Sequence, residues 1–438
     1  MSTLTIGIIV VFVLGYAFIA MESLTKINKA AIALLMFVFC WVLYMVDPEP
    51  FVQLMHPDFK GTGEQVLSFV NSLITEHLGD TATTLFFLMG AMTIVEIVDQ
   101  NGGFNWVKNV MHSKTKRSLL WKIAFMTFFL SAILDNLTTS IVMIMILRKL
   151  VHDKKDRMIY ASLVIIAANS GGAFSPIGDV TTIMLWNAGM ITAGGVISEI
   201  FIPSLLSMII PALLLQTALK GNIEYDDMGT DLRGDTVILD FTALQRKVIF
   251  AIGVGGLCFV PLFHYLTELP PFVGILLVLG ILWTVTELFY RQIHRRRGDN
   301  IQFSKRVSNL LTRIDMSTIL FFLGILMAVA CLEEVGVLHE LGGGLNSFFE
   351  GNHYAVTGII GVLSSIVDNV PLVAGSMGMY PVQATGDMAV DGIFWQLLAY
   401  CAGVGGSILI IGSAAGVVVM GLEKITFGWY MKKISWLA

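Results

Sequence analysis

The chain has 438 residues, of which 55% are hydrophobic and only 13% charged, and its mean hydropathy is +0.78. Such a balance excludes a soluble enzyme and fits a polytopic membrane protein whose helices face the bilayer. The net charge of −5 says little by itself, and the four cysteines (Cys40, Cys258, Cys331, Cys401), all in or beside apolar segments without metal-type spacing, imply no disulfide framework.

The first apolar run covers 4–21; "MSTLTIGIIVVFVLGYAFIA" lacks a basic leader and a small-residue cleavage site, so it is predicted to persist as a spanning helix. Further runs at 30–46, 83–98, 196–217, 247–265, 272–289 and 317–331 match or approach the ~20 helical residues that a hydrocarbon core requires. Lys and Arg collect in 22–29, 108–117, 148–157, 220–247 and 290–316, which hold 22 of the 27 basic residues. The segments 47–82, 187–200, 266–271, 332–352 and 381–391 contain Lys60 alone but many acids. By the positive-inside rule the first group is cytoplasmic and the second external, which puts the amino terminus outside. The Arg295-Arg296-Arg297 cluster then reads as an orientation signal, not as a lipid or nucleic-acid site.

Between two basic flanks, 118–147 has only 30 residues, too few for two crossings at ~20 each. It is predicted to be a re-entrant hairpin turning at Asp135-Asn136, about halfway into the membrane, where bare backbone is tolerated only if buried in protein or lining a water-filled cavity. The segment 353–380, flanked by acids, repeats the pattern from outside around Asp368-Asn369. "SAILDNLTTS" (131–140) and "SSIVDNVPLV" (364–373) share a Ser-small-Ile-aliphatic-Asp-Asn order at an offset of 233 and diverge after it.

Each hairpin precedes a Gly-rich interruption, "ANSGGAFSPIGD" (168–179) and "GVGGSILIIGSAAG" (403–416), and "LFFLMGAMTIVEIV" (85–98) resembles "LFFLGILMAVACLE" (320–333). Three blocks in one order with opposite charge-derived orientation describe an all-α membrane protein built of inverted-topology repeats, each with a re-entrant hairpin and a broken transmembrane helix. The first half is 1–217, with scaffold helices about 1–107, hairpin and broken helix about 118–194 and a linking helix 196–217. A cytoplasmic linker covers 218–246; the second half is 247–438, with scaffold helices about 247–340 and hairpin and broken helix about 353–424. A counterpart of 196–217 is expected last, and "ITFGWYMKKISWLA" reads as an incomplete final helix or a terminal interfacial segment.

A carboxylate at mid-bilayer costs ~2.5–3.5 kcal/mol on insertion scales, so Asp135 and Asp368 are functional candidates. A small hard cation wants oxygen ligands, which Asp135, Asn136, Thr138, Thr139, Asn169, Ser170, Asp179, Thr181, Thr182, Asp368 and Asn369 supply. Na+ is placed at Asp135, Asn136, Asp368 and Asn369, with the main site in the first half, which has Asp179 where the second half has no acid. The bland alternative is that the Asn and Thr residues, and Asp179, merely cap half-helices. Supporting positions are Ser131, Ser364, Ser175, Pro176, Pro371, Ser407 and Ser413, together with Glu96, which suits a snorkelling pair as well as a proton relay.

The stretches "SAILDNLTTSIVM", "AANSGGAFSPIGDVTTIMLW" and "SSIVDNVPLVAGSMGMYP" resemble the signatures of NhaD-type Na+/H+ antiporters of the ion transporter superfamily. The resemblance implies a homodimer in a bacterial cytoplasmic membrane, with a fixed scaffold and an elevator-like transport unit. It also implies exchange of cytoplasmic Na+, with Li+ as a second candidate, for external H+, and no cofactor beyond the transported ions. Superfamily relatives that carry dicarboxylates resemble this pattern but place Ser at the positions of Asp135 and Asp368; a carboxylate there favours a cation. The alternative is an efflux permease for arsenite or a small organic anion. An intramembrane aspartyl protease is disfavoured because Pro176-Ile177-Gly178-Asp179 departs from its Gly-x-Gly-Asp motif, and a passive channel because inverted hairpins suit alternating access.

Overall fold

The computed structural model describes residues 2–21, 25–104, 107, 110–111, 113–223, 241–297, 307–366 and 368–438. Most of the expected linker 218–246, including "EYDDMGTDLRGD", lies outside these residues. The amino-terminal helices are α1 (Thr3–Ala20), α2 (Lys29–Val46), α3 (Glu49–Met55) and α4 (Glu64–Gln100). Side-chain caps begin them where the sequence offers Ser or Asn: Ser2 accepts from the Thr5 amide of α1, Asn28 from the Ala30 amide of α2. α4 begins inside the expected external segment 47–82. It has 37 residues, about 55 Å at 1.5 Å per residue, and starts well before the apolar run 83–98. Val66, Val70 and Leu73 lie at helical spacing and are buried, so an amphipathic turn-by-turn face extends the helix beyond its apolar part.

The next helices are α5 (Lys116–Leu134), α6 (Asn136–Leu150), α7 (Lys154–Ala173), α8 (Val180–Asn187) and α9 (Ala193–Leu215). α10 (Ala243–Thr267), α11 (Pro271–Arg297), α12 (Met316–Glu334) and α13 (Val337–Phe348) follow, then α14 (His353–Ser364), α15 (Asn369–Met379), α16 (Ile393–Gly405), α17 (Ala414–Glu423) and α18 (Phe427–Lys433). Among the described residues, seven helices are long and apolar enough to cross a membrane: α2, α4, α5, α9, α10, α11 and α12. α1 falls among the shorter apolar helices, and α5, expected as half of a short hairpin, has 19 residues, about 28 Å of helix.

Only Asp135 separates α5 from α6, and both arms end at the head of α7. At the start of α5, Lys116 pairs with Asp156 at 2.5 Å and its carbonyl accepts from Tyr160 Oη at 2.8 Å. Past the end of α6, the Val151 carbonyl accepts from Arg157 at 3.1 Å. The chain therefore goes out and returns to one place. α14 and α15 do the same at the head of α16, where His353 and Tyr380 both pack on the Phe394 ring, with centroids 5.6 and 4.8 Å apart.

Matched contacts hold the hairpins to the broken helices α7–α8 and α16–α17. Ser131 Oγ donates to the Ala168 carbonyl at 2.6 Å, and Ser364 Oγ to the Ala402 carbonyl at 2.7 Å. Side chains at Gly171 and Gly405 would collide with the carbonyls of Phe128 and Gly361, so glycine lets backbone approach backbone at equivalent places. The two broken helices run antiparallel. Arg157 near the head of α7 pairs with Glu423 at the tail of α17, Asp391 just before α16 donates its amide to Met190 just after α8, and Asn169 meets Ser407 and Ser413 midway.

Buried apolar side chains form two groups. One joins α1–α4, α12 and α13 with Met184 of α8 and Val370 and Ala374 of α15, and brings α2 and α12 into close contact along Ala33 and Gly324; the other joins both hairpins, both broken helices, α9, α10, α11 and the later turns of α4 (Phe87, Ile94, Val95, Ile97 and Val98).

Candidate ion site

Four helix beginnings meet at the boundary between these groups. Asp135 caps α6: its Oδ1 accepts from the Thr138 amide at 2.8 Å and its Oδ2 from Thr138 Oγ1 at 2.9 Å. Asp179 caps α8, accepting from the Thr181 amide at 3.3 Å, and Ser413 caps α17, accepting from the Gly416 amide at 3.2 Å. Asp368 begins α15 but makes no cap bond to it.

Asp179, 2% exposed, is the junction. Asn136 from the first hairpin and Asn369 from the second each donate Nδ2 to its Oδ2 at 3.2 Å. Asn136 also donates to Asn169 Oδ1 at 3.2 Å, and Asn169 Nδ2 reaches Ser407 and Ser413 Oγ at 2.9 and 3.0 Å. One buried carboxylate is thus reached from both halves of the chain. A cavity of about 60 Å³ adjoins it, lined by Asp135, Asn136, Thr138, Asp179, Asp368 and Asn369 on the hairpin side and by Lys29, Leu88, Met92, Thr318 and Phe322 on the scaffold side. That is room for about two waters at ~30 Å³ each.

The remaining expected residues are distributed around this centre. Thr139 and Thr181 are buried, and neither hydroxyl has a hydrogen-bond partner among the described residues. Ser170 accepts from Ser207 of α9 at 2.9 Å, and Thr182 Oγ1 donates to the Asp179 carbonyl at 2.9 Å, so both face away from the cavity lining. Ser175 Oγ donates to the Ala132 carbonyl at 2.5 Å and, with Ser131 and Ser364, braces backbone. Pro176 lies in the break between α7 and α8, and Pro371 in the first turn of α15, where its missing N–H leaves no helix bond unmade. Glu96, one turn beyond Met92, faces Arg313 at 3.9 Å, which favours the snorkelling pair.

Two features escape the sequence. Asp135 and Asp368 occupy equal places in their motifs but adopt different backbones, with φ of 81° and −51°. Lys29, read above as an orientation charge, places Nζ 3.3 Å from Asp368 Oδ2 and 4.2 Å from the Phe321 ring centroid. Its one sequence signal is a cation in the first turn of an apolar helix, where the dipole disfavours positive charge.

An all-helical multi-pass membrane protein with two broken helices crossing at a buried carboxylate has the architecture of a membrane transporter. Residues 16–397 match the model of the citrate transporter family, CitMHS. The chain belongs to this family of the ion transporter superfamily and groups within it with NhaD-type Na+/H+ antiporters. It is 41% identical to "Sodium/proton antiporter 1" of Arabidopsis thaliana, over 99% of this chain and 70% of that protein, and 40% identical to "Sodium/proton antiporter 2", over 98% and 94%. Against "Na(+)/H(+) antiporter NhaD" of Vibrio parahaemolyticus identity is 30%, over 82% of this chain and 87% of that protein. Of these, the plant proteins are the more similar, so the expectation of a bacterial membrane gains no support from the comparison.

Proposed function

We propose that the protein exchanges cytoplasmic Na+, with Li+ as a second candidate, for external H+ by competition at its buried aspartates. The observation that carries this reading is Asp179, a buried acid held by one amide from each hairpin beside a cavity that two further acids line. Turning the Asn136 and Asn369 amides would present oxygens in place of N–H groups, which with Asp135 and Asp179 gives a small cation oxygen ligands without moving a helix. The same carboxylates accept a proton instead, and exclusive loading of either cation is sufficient for antiport. An anion would meet three acids in a cavity far too small for a tricarboxylate, which weighs against the organic-anion alternative. The names of the similar antiporters point the same way.

On this reading the halves are inverted repeats, as the matched serine bonds and antiparallel broken helices suggest, and the hairpins enter the membrane without crossing it. The protein sits in its membrane with the amino terminus external and works as a homodimer. Hairpins and broken helices move as an elevator against α1–α4 and α10–α12, with the cavity at the sliding boundary. The test is Na+-driven pH change in proteoliposomes, with wild type responding and Asp179→Asn silent though folded. Absence of any Na+ response in the wild type would sink the proposal.

A further inference from the structure

Lys29 and Asp368 meet across 339 positions of sequence, and each leaves its local optimum to do so. Lys29 is the first residue of α2, where a positive charge opposes the helix dipole and Asn28 already supplies the cap. Asp368 forgoes the cap bond to α15 that Asp135 makes to α6. The two side chains are 27% and 20% exposed at the rim of the cavity that holds Asp135 and Asp179. An ammonium held there occupies an oxygen that a metal cation would otherwise take, and it cannot leave the protein.

We propose that Lys29 is a tethered competitor of the transported cation: it neutralises Asp368 until Na+ displaces it, and so sets the Na+ affinity of the site. This rests on the exchange reading above. Removing the competitor lets Na+ reach Asp368 unopposed. Arginine would strengthen it, because a guanidinium holds a carboxylate through two parallel hydrogen bonds and stays weakly hydrated.

The measurement is the Na+ concentration for half-maximal exchange in proteoliposomes, for wild type, Lys29→Gln, Lys29→Arg, Asp368→Asn and the double variant Lys29→Gln/Asp368→Asn. Half-saturation should fall several-fold in Lys29→Gln and rise in Lys29→Arg, each tenfold step corresponding to ~1.4 kcal/mol of pairing. The Lys29→Gln gain should be lost in the Asp368→Asn background. Half-saturation unchanged in Lys29→Gln, with only thermal stability lowered, would make the pair structural and overturn the inference. A gain of equal size in the Asp368→Asn background would assign the effect to the general field of the lysine and also overturn it. Abolished exchange in both Lys29 variants would make the lysine indispensable to turnover, against a competitor role. A wild type without Na+-dependent exchange is a different failure, that of the exchange reading itself.

Discussion

Asp135 has φ 81° and ψ 158°, a conformation open to glycine and costly for other residues. Such strain amounts to ~1–3 kcal/mol and persists where the surroundings enforce it. Its carboxylate caps α6, and glycine is nearly as good a cap, losing only a few tenths of a kcal/mol. Asp135→Gly should therefore raise the melting temperature in detergent above that of wild type while abolishing Na+ exchange; a lower melting temperature would show that the backbone is relaxed. A second expectation concerns pH. If Na+ and H+ exclude one another at these acids, half-saturating Na+ rises about tenfold for each unit that the pH falls below the apparent pKa of the site, and is constant above it. A pH-independent half-saturation with a changing maximal rate would place the pH response elsewhere. The acids were legible in the sequence because an intramembrane carboxylate is expensive. Lys29 was not, since a lysine beside an apolar run looks like any topology signal until its partner is seen. The divergence of Asp135 and Asp368 was hidden for a similar reason: identical dipeptides do not report φ.

At the scale of elements, Glu423 fastens three helices. Its fully buried carboxylate pairs with Arg148 Nε of α6 at 2.8 Å and with Arg157 Nε of α7 at 2.6 Å, while it sits at the end of α17. Arg148 also donates to the neighbouring Leu422 carbonyl. The arginines are 45% and 20% exposed, so the clamp is asymmetric. Arg148→Gln/Arg157→Gln strands a buried charge and should destabilise by ~3–5 kcal/mol, whereas Glu423→Gln leaves two cations that reach water and should cost ~1 kcal/mol or little more. Chemical denaturation in detergent would compare the two, and equal losses would contradict the asymmetry. The hairpins and broken helices were readable as elements because their Asp-Asn and Gly-Gly pairs recur at nearly constant offset. The early start of α4 was not, because its first turns bury only Val66, Val70 and Leu73, and the polar residues between them look like a loop.

At the scale of the molecule, the two feet of each hairpin lie together, which fixes what labelling should find. Single cysteines at Lys114 and Lys155, in an otherwise cysteine-free protein, should react from the cytoplasm, and those at Glu350 and Thr385 from outside. Opposite-side reaction within either pair would mean a complete crossing and would remove the inverted repeat. Charge distribution sets the expected sidedness but says nothing of depth: α5 has the length of a span, and composition alone placed its turn halfway.

The convergence of α6, α8, α15 and α17 on one cavity has an electrostatic consequence. Helix N-termini attract anions, and four of them, at ~0.5 charge each, would suit a carboxylate cargo. Asp135, Asp179 and Asp368 at three of those ends reverse the sign, and Lys29 brings the sum near zero. On the exchange reading, an unloaded transport unit is therefore close to neutral only while Asp368 touches α2. Sliding away would leave about one bare negative charge in a low-dielectric path, which is strongly unfavourable. Efflux of radiolabelled Na+ into Na+-free medium should accordingly stall at alkaline pH and resume when Na+ or acid is added outside. Leakage through an unloaded carrier is then prevented by charge rather than by a steric gate, and a bound cation becomes the permit to move.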